Sequence, residues 1–260
     1  MTGKYFHTAL ETHTRKNQNW IEMVINDIKA LTFDTGGTIL DWHTGFYSTM
    51  KAIGKGYGLD RDWHHIANEL RRQSLKKMIN LGQHEPPQYN FDGAHKMVLD
   101  ELCQEFELDV FSEEDRQKIA LDTPHNLKVW DDFPDALEKL KEKFFCCSFT
   151  ILSFRIIMDT AKRNNLSWDA VFSCEAIGKY KTLPAPYETV SSWLQLNPNQ
   201  ICMVACHNFD LNAAKAVGFK TAFVKRPKEW GPANPPDPEP NPSHDIVVNN
   251  FADLVMELTI

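Results

Sequence analysis

The chain of 260 residues carries 28 Lys and Arg against 35 Asp and Glu, a formal net charge of −7, with 42% hydrophobic and 24% charged residues. This is a globular composition, long enough for one large domain or for a core carrying an inserted one. The acidic balance speaks against nucleic acid as a partner, and no apolar run approaches the roughly 18 residues of a membrane span. Residues 1–20, MTGKYFHTALETHTRKNQNW, lack the continuous apolar stretch of a secretory leader and read as an N-terminal extension. Six cysteines (Cys103, Cys146, Cys147, Cys174, Cys202, Cys206) show no CxxC spacing and sit mostly in apolar runs, which points to buried free thiols in a cytoplasmic protein.

The first strand signal is Ile28 to Phe33, running into Asp34-Thr35-Gly36-Gly37-Thr38, a turn that two glycines make permissive. From Gly45 to about Leu127 the texture becomes helical. Apolar residues recur at three- and four-residue spacing over Phe46–Ile53, His65–Leu81, Phe91–Phe106 and Glu113–Leu121, punctuated by Gly56, Gly58, Gly82 and Pro86-Pro87. These residues, 46–128, are expected to form a helical domain inserted into an α/β core of residues 21–45 and 129–260. In that core, helices are expected at Asp135–Lys143, Ile156–Asn164, Pro186–Leu194 and Leu211–Val217, with a closing helix from Phe251. Strands are expected at Cys146–Leu152, Ala170–Ser173, Ile201–Ala205, Thr221–Val224 and Ile246–Val248. Strands separated by single helices imply right-handed crossovers and a doubly wound, Rossmann-like parallel sheet. Pro232 to Pro242 holds six of fourteen prolines and reads as an extended surface loop.

Ligands of such a sheet bind outside the carboxyl ends of its strands. The polar residues there are Asp34, Ser153, Lys181 and Asp210: a carboxylate nucleophile, a hydroxyl donor, a cation to keep the nucleophile ionised, and a second acid. Each has a plainer reading: Asp34 as a turn residue, Ser153 and Asp210 as helix N-caps, Lys181 as a solvated loop cation. In this order at successive strand ends, the set is hard to explain as turns and caps.

Phe33-Asp34-Thr35-Gly36-Gly37-Thr38-Ile39-Leu40-Asp41 resembles the first motif of the haloacid dehalogenase superfamily, and Leu152-Ser153 the second. Tyr180 to Tyr187 resembles the third, and Val204-Ala205-Cys206-His207-Asn208-Phe209-Asp210-Leu211 the fourth. The likeness spans Ile28 to Leu254, the helical insertion matches the cap of that superfamily, and within it the type II 2-haloacid dehalogenases are most similar. What the resemblance implies is hydrolytic dehalogenation of short 2-haloacids through covalent catalysis, independent of metal. Asp34 attacks C2, halide leaves, and water activated by Asp210 with Lys181 hydrolyses the aspartyl ester. Thr38 and Ser153 hold the nucleophile's oxygens, and Arg71 on the second cap helix meets the halide, with Arg72 and Gln73 as neighbouring candidates. Backbone N–H groups of Thr35, Ser153 and Phe154 hold the substrate carboxylate; Gly36, Tyr187, His207 and Asn208 complete the pocket. His207 is open to three readings: paired with Asp210, facing substrate, or structural. A homodimer acting on a small molecule, without cofactor, is implied.

Several positions depart from the familiar pattern. Gly36 stands where such dehalogenases have an aromatic, Phe154 where they have Asn, and Ala205 where they have Ser. The superfamily's phosphatases carry a second Asp at the position of Gly36, and Asp34 with Asp210 offers few oxygens for Mg²⁺. A Mg²⁺-dependent phosphatase or phosphonate hydrolase is the alternative enzyme, and a non-catalytic interaction module the alternative outside enzymes.

Overall fold

The structure is a computed structural model that describes residues 27–81 and 89–259. The proposed N-terminal extension and the punctuation at Gly82 and Pro86-Pro87 lie outside the described residues. The described strands β1 (Ala30–Phe33), β2 (Phe145–Thr150), β3 (Ala170–Ser173), β4 (Ile201–Ala205), β5 (Lys220–Val224) and β6 (Ile246–Val248) form one parallel sheet in the order β3-β2-β1-β4-β5-β6. The strand ends shift by one or two residues from the expected ones. β2 stops at Thr150, because Ile151 to Ser153 already turn toward the next helix.

Alternation along these strands sends side chains to two apolar layers, as a sheet covered on both faces requires. Leu31, Phe33, Cys146, Val204 and Ala222 pack on α5 (Phe133–Lys141) and α10 (Phe251–Thr259); Phe33 meets Phe133 at 5.6 Å and Phe251 at 6.1 Å between ring centroids. Ala30, Cys147, Phe149, Met203 and Phe223 face the other layer, with α6 (Phe154–Arg163), α8 (Pro184–Leu194) and α9 (Asn208–Val217); the short α7 (Cys174–Ile177) lies between. All six cysteines are free and buried.

Between β1 and α5 the chain is helical: α1 (Trp42–Gly56), α2 (Trp63–Leu81), α3 (Phe91–Glu105) and α4 (Glu113–Gln117). Asp41, Asn90 and Ser112 cap α1, α3 and α4 by accepting from backbone N–H groups. The expected single helix over Glu113–Leu121 is shorter. It runs into a π turn at Lys118–Asp122, where the N–H and Oγ1 of Thr123 both donate to Lys118 O ahead of Pro124, which has no N–H to continue the ladder. The two crossings between helices and sheet lie side by side: Asp41 N donates to Lys128 O at 2.9 Å and Trp130 N to Ile39 O at 2.9 Å. The chain reverses its direction across the sheet between β1 and β4, so the residues after those two strands face one crevice.

His95 on α3 is buried between Phe46 and Phe91, with ring centroids at 5.2 and 4.7 Å, and its Nδ1 has no hydrogen-bond partner among the described residues. Burial, reinforced by the nearby Arg71 cation and by His125, pushes its pKa down to about 3. The folded chain therefore holds His95 neutral while the unfolded chain protonates it below about 6.5. Its contribution is complete above that pH and is lost as pH falls toward 3. Urea unfolding between pH 7 and 5 should show stability falling with acid, and His95→Phe should remove up to about 1.4 kcal/mol per pH unit of that slope; equal slopes in the two proteins would contradict this.

Candidate active site

Asp34 directly follows β1, Lys181 lies between α7 and α8, and Asp210 sits in the first turn of α9. All three are buried. Lys181 Nζ donates to Asp210 Oδ2 at 2.7 Å, to Phe149 O at 2.7 Å and to Asp34 Oδ1 at 3.4 Å, and stands 4.5 Å from the Phe149 ring centroid. The other Asp34 oxygen, Oδ2, accepts from Thr38 Oγ1 at 2.8 Å and faces His207 Nδ1 at 3.2 Å. Burial alone would raise the Asp34 pKa; Lys181, His207 and Thr38 outweigh it and hold the carboxyl well below the usual range. Asp210 goes the other way: burial and the Asp34 charge raise its pKa against the pull of Lys181. Burial works against the Lys181 ammonium, and the two carboxylates overcome it and raise its pKa.

A second charged group adjoins Asp34. His207 Nε2 lies 3.0 Å from Glu229 Oε1, which also accepts from Trp42 Nε1 at 3.0 Å. Burial disfavours the imidazolium, but the adjoining Cys206 sulfur, the Glu229 carboxylate and the bond to Asp34 raise the His207 pKa well above its ordinary value. Glu229 is itself held low by His207 against its burial. Cys206 Sγ touches the pair, 3.4 Å from His207 Nε2 and 3.6 Å from Glu229 Oε2.

Of the three cap candidates, Arg71 reaches the site. Its Nη2 donates to Gly36 O at 2.8 Å, its guanidinium lies 5.5 Å from the Trp42 and 5.8 Å from the Phe91 ring centroid, and its buried Nε has no partner among the described residues. Arg72 and Gln73 instead bond Glu69. A Cβ on Gly36 would stand 2.9 Å from Arg71 Nη2, so the missing side chain at 36 is what admits the guanidinium. Asp34, Gly36, Arg71, Leu75, Leu152, Lys181, His207 and Asp210 are among the residues around a cavity of about 10 Å³, room for about one water.

Other expected site residues are employed elsewhere. Ser153 Oγ donates to Asp92 Oδ2 at 2.7 Å and accepts from Ile156 N at 3.2 Å, so it caps α6 and does not hold Asp34. Phe154 is 43% exposed, and its N–H donates to Glu175 Oε2 at 2.8 Å, which takes it from a substrate carboxylate. Thr35 Oγ1 bonds Thr150 Oγ1 at 2.7 Å, bracing the ends of β1 and β2. Tyr187 donates to Asp210 Oδ1 at 2.6 Å and so positions that carboxylate without facing the cavity. Asn208 turns away to Asp237, the Glu239 carbonyl, Asn241 and His244, pinning the proline-rich loop. His207 pairs with Asp34 and not with Asp210. Glu229 and Trp42 were not foreseen. The one signal was indirect: a histidine at the end of a buried strand needs a counter-charge from somewhere.

The donor set between the two aspartates does not fit magnesium. The Lys181 ammonium already bridges Asp34 and Asp210, and Tyr187 takes the remaining Asp210 oxygen.

A family model described as haloacid dehalogenase-like hydrolase matches residues 28–218. The (S)-2-haloacid dehalogenase 4A of Burkholderia cepacia is 25% identical over 241 residues, covering 89% of this chain and 95% of that protein. The crystal structure of the L-2-haloacid dehalogenase PA0810 superposes with a TM-score of 0.81 at 28% identity, covering 89% of this chain and all of that one. That of the defluorinating L-2-haloacid dehalogenase Rha0230 gives 0.83 at 28% identity, over 90% of this chain and 96% of that one.

Replacing Glu229 by Leu should leave the buried His207 cation with Asp34 alone to offset it, at a cost of about 3 kcal/mol in urea unfolding. A loss within about 0.5 kcal/mol, the range of an ordinary surface change, would contradict the charge pairing.

Proposed function

This chain belongs to the haloacid dehalogenase-like hydrolases, and from that footing we propose that it hydrolyses short 2-haloalkanoic acids through an ester on Asp34, without a metal. The observation that carries this reading is the Asp34 carboxylate, kept ionised in a buried site by Lys181 and His207 beneath the Arg71 guanidinium. Residues 46–128 act as the cap over this site. Similar proteins named as 2-haloacid dehalogenases support the substrate class.

Of the two Asp34 oxygens, Oδ1 is the freer, with one long contact to Lys181 at 3.4 Å. It attacks C2 of the haloacid from the side opposite the halogen; the carbon–halogen bond breaks, halide leaves toward Arg71, and the ester forms. Water then adds to Cγ of Asp34, giving one proton to Asp210; the bond from Cγ to the oxygen on C2 breaks, the leaving oxygen takes that proton back from Asp210 as the hydroxyl of the 2-hydroxyacid, and the Asp34 carboxyl loses the second water proton to solvent. Charge that develops on Oδ2 in this second step meets Thr38 Oγ1 and His207 Nδ1, two donors already aimed at it. The substrate carboxylate is taken by the main-chain N–H groups of Thr35 and Ser153. Room for about one water restricts the acid to a short chain and requires α2, which carries Arg71 and Leu75, to give way on entry.

Halide release from chloroacetate and the 2-chloropropionate enantiomers should persist in EDTA, and Asp34→Asn should abolish it with the circular dichroism unchanged. Magnesium-dependent phosphate release in place of halide would move the chain to the phosphatase branch. Gly36→Ala should push Arg71 aside and lower kcat/KM for haloacids by about 10–100-fold; unchanged kinetics would remove Arg71 from the halide site.

A further inference from the structure

The side chains of Cys206, His207 and Glu229 offer a thiol, an imidazole nitrogen and a carboxylate whose ligand atoms lie within 4.8 Å of one another. A tetrahedral zinc ion, at about 2.3 Å from sulfur and about 2.0–2.2 Å from nitrogen and oxygen, sets its ligand atoms about 3.6 Å apart for S–N and S–O and about 3.4 Å for N–O. Sγ lies 3.4 Å from Nε2; the Glu229 carboxylate meets the two through different oxygens, Oε2 at 3.6 Å from Sγ and Oε1 at 3.0 Å from Nε2, so either oxygen can turn to the ion within the 4.8 Å span. We propose that these three residues form a binding site for a soft divalent cation of the zinc type, beside the carboxylate pair that Lys181 bridges and not required for dehalogenation.

Two features outside the triad support it. The groups that orient metal ligands are already in place: His207 directs Nδ1 to Asp34, the carboxylate–histidine arrangement usual behind a metal-bound imidazole, and Trp42 Nε1 donates to the Glu229 carboxylate. Gly37, at φ +98°, passes so close that a Cβ there would lie 2.0 Å from Glu229 Oε1, so the backbone makes way for the carboxylate. Because Nε2 is the ligand, the Nδ1–H that faces Asp34 is retained. The ion ties the Glu229 loop to the end of β4.

Cobalt(II) added to the chelator-treated full chain reads the site by spectroscopy, with no substrate present. The expected result is one cobalt per chain, with intense visible bands of tetrahedral geometry and a near-ultraviolet thiolate-to-cobalt band. Cys206→Ser should lose the thiolate band, whereas Cys103→Ser, remote on α3, should keep it. Glu229→Gln, checked for folding by circular dichroism, should weaken cobalt binding by about tenfold or more. Zinc should displace the cobalt and raise the Tm of the wild-type chain, since an ion that binds only the folded state stabilises it. Absence of both bands, or a thiolate band that survives Cys206→Ser, would overturn the proposal.

Discussion

The Lys181 ammonium is buried among a carbonyl and two carboxylates, and its position fixes those of the groups around it. An isolated ammonium or carboxylate in such a place would cost several kcal/mol, and removing one member of the set would leave another uncompensated. The charges therefore alternate through the crevice: Asp210, Lys181, Asp34, His207 and Glu229 in contact, with the Arg71 cation closing over them. Three carboxylates and three cations offset one another where almost no water fits. The sheet supplies the means, because β1 and β4 end side by side at the point where strand order reverses.

The same alternation makes the site suited to displacement at carbon. A carboxylate in water is a weak nucleophile; one that is ionised, desolvated and fixed by donors on one oxygen presents its other oxygen to the substrate. Gly36 belongs to this design. A side chain there would occupy the space of the Arg71 guanidinium, so the departure from the aromatic-bearing pattern is what lets Arg71 of α2 reach the end of β1.

The core strands were legible because strands buried on both faces leave continuous apolar runs, and Asp34, Lys181 and Asp210 because strand ends are where a parallel sheet places its polar groups. Arg71 was separable from Arg72 only in three dimensions, by which side of α2 faces the sheet. The bonds that occupy Ser153 Oγ, the Phe154 N–H and the Asn208 side chain are illegible in the sequence for one shared reason. Their partners, Asp92, Glu175 and Asp237, lie 61, 21 and 29 residues away, and no local spacing announces such pairings. Glu229 was invisible on the same ground, as a single acid in a loop ahead of a proline-rich stretch. The π turn at Lys118–Asp122 escaped because apolar periodicity continues through it while the hydrogen-bond ladder changes.

The proposed ester route makes Asp34 the group that bonds to carbon. The most direct measurement is a single turnover of enzyme in excess over a 2-haloacid in oxygen-18 water, followed by mass spectrometry of the Asp34 peptide and of the product. The account predicts that the label enters the Asp34 carboxylate while the hydroxyl of the product carries ordinary oxygen. Label in the product hydroxyl and none in Asp34 would mean that water attacks carbon directly, and would contradict the ester route.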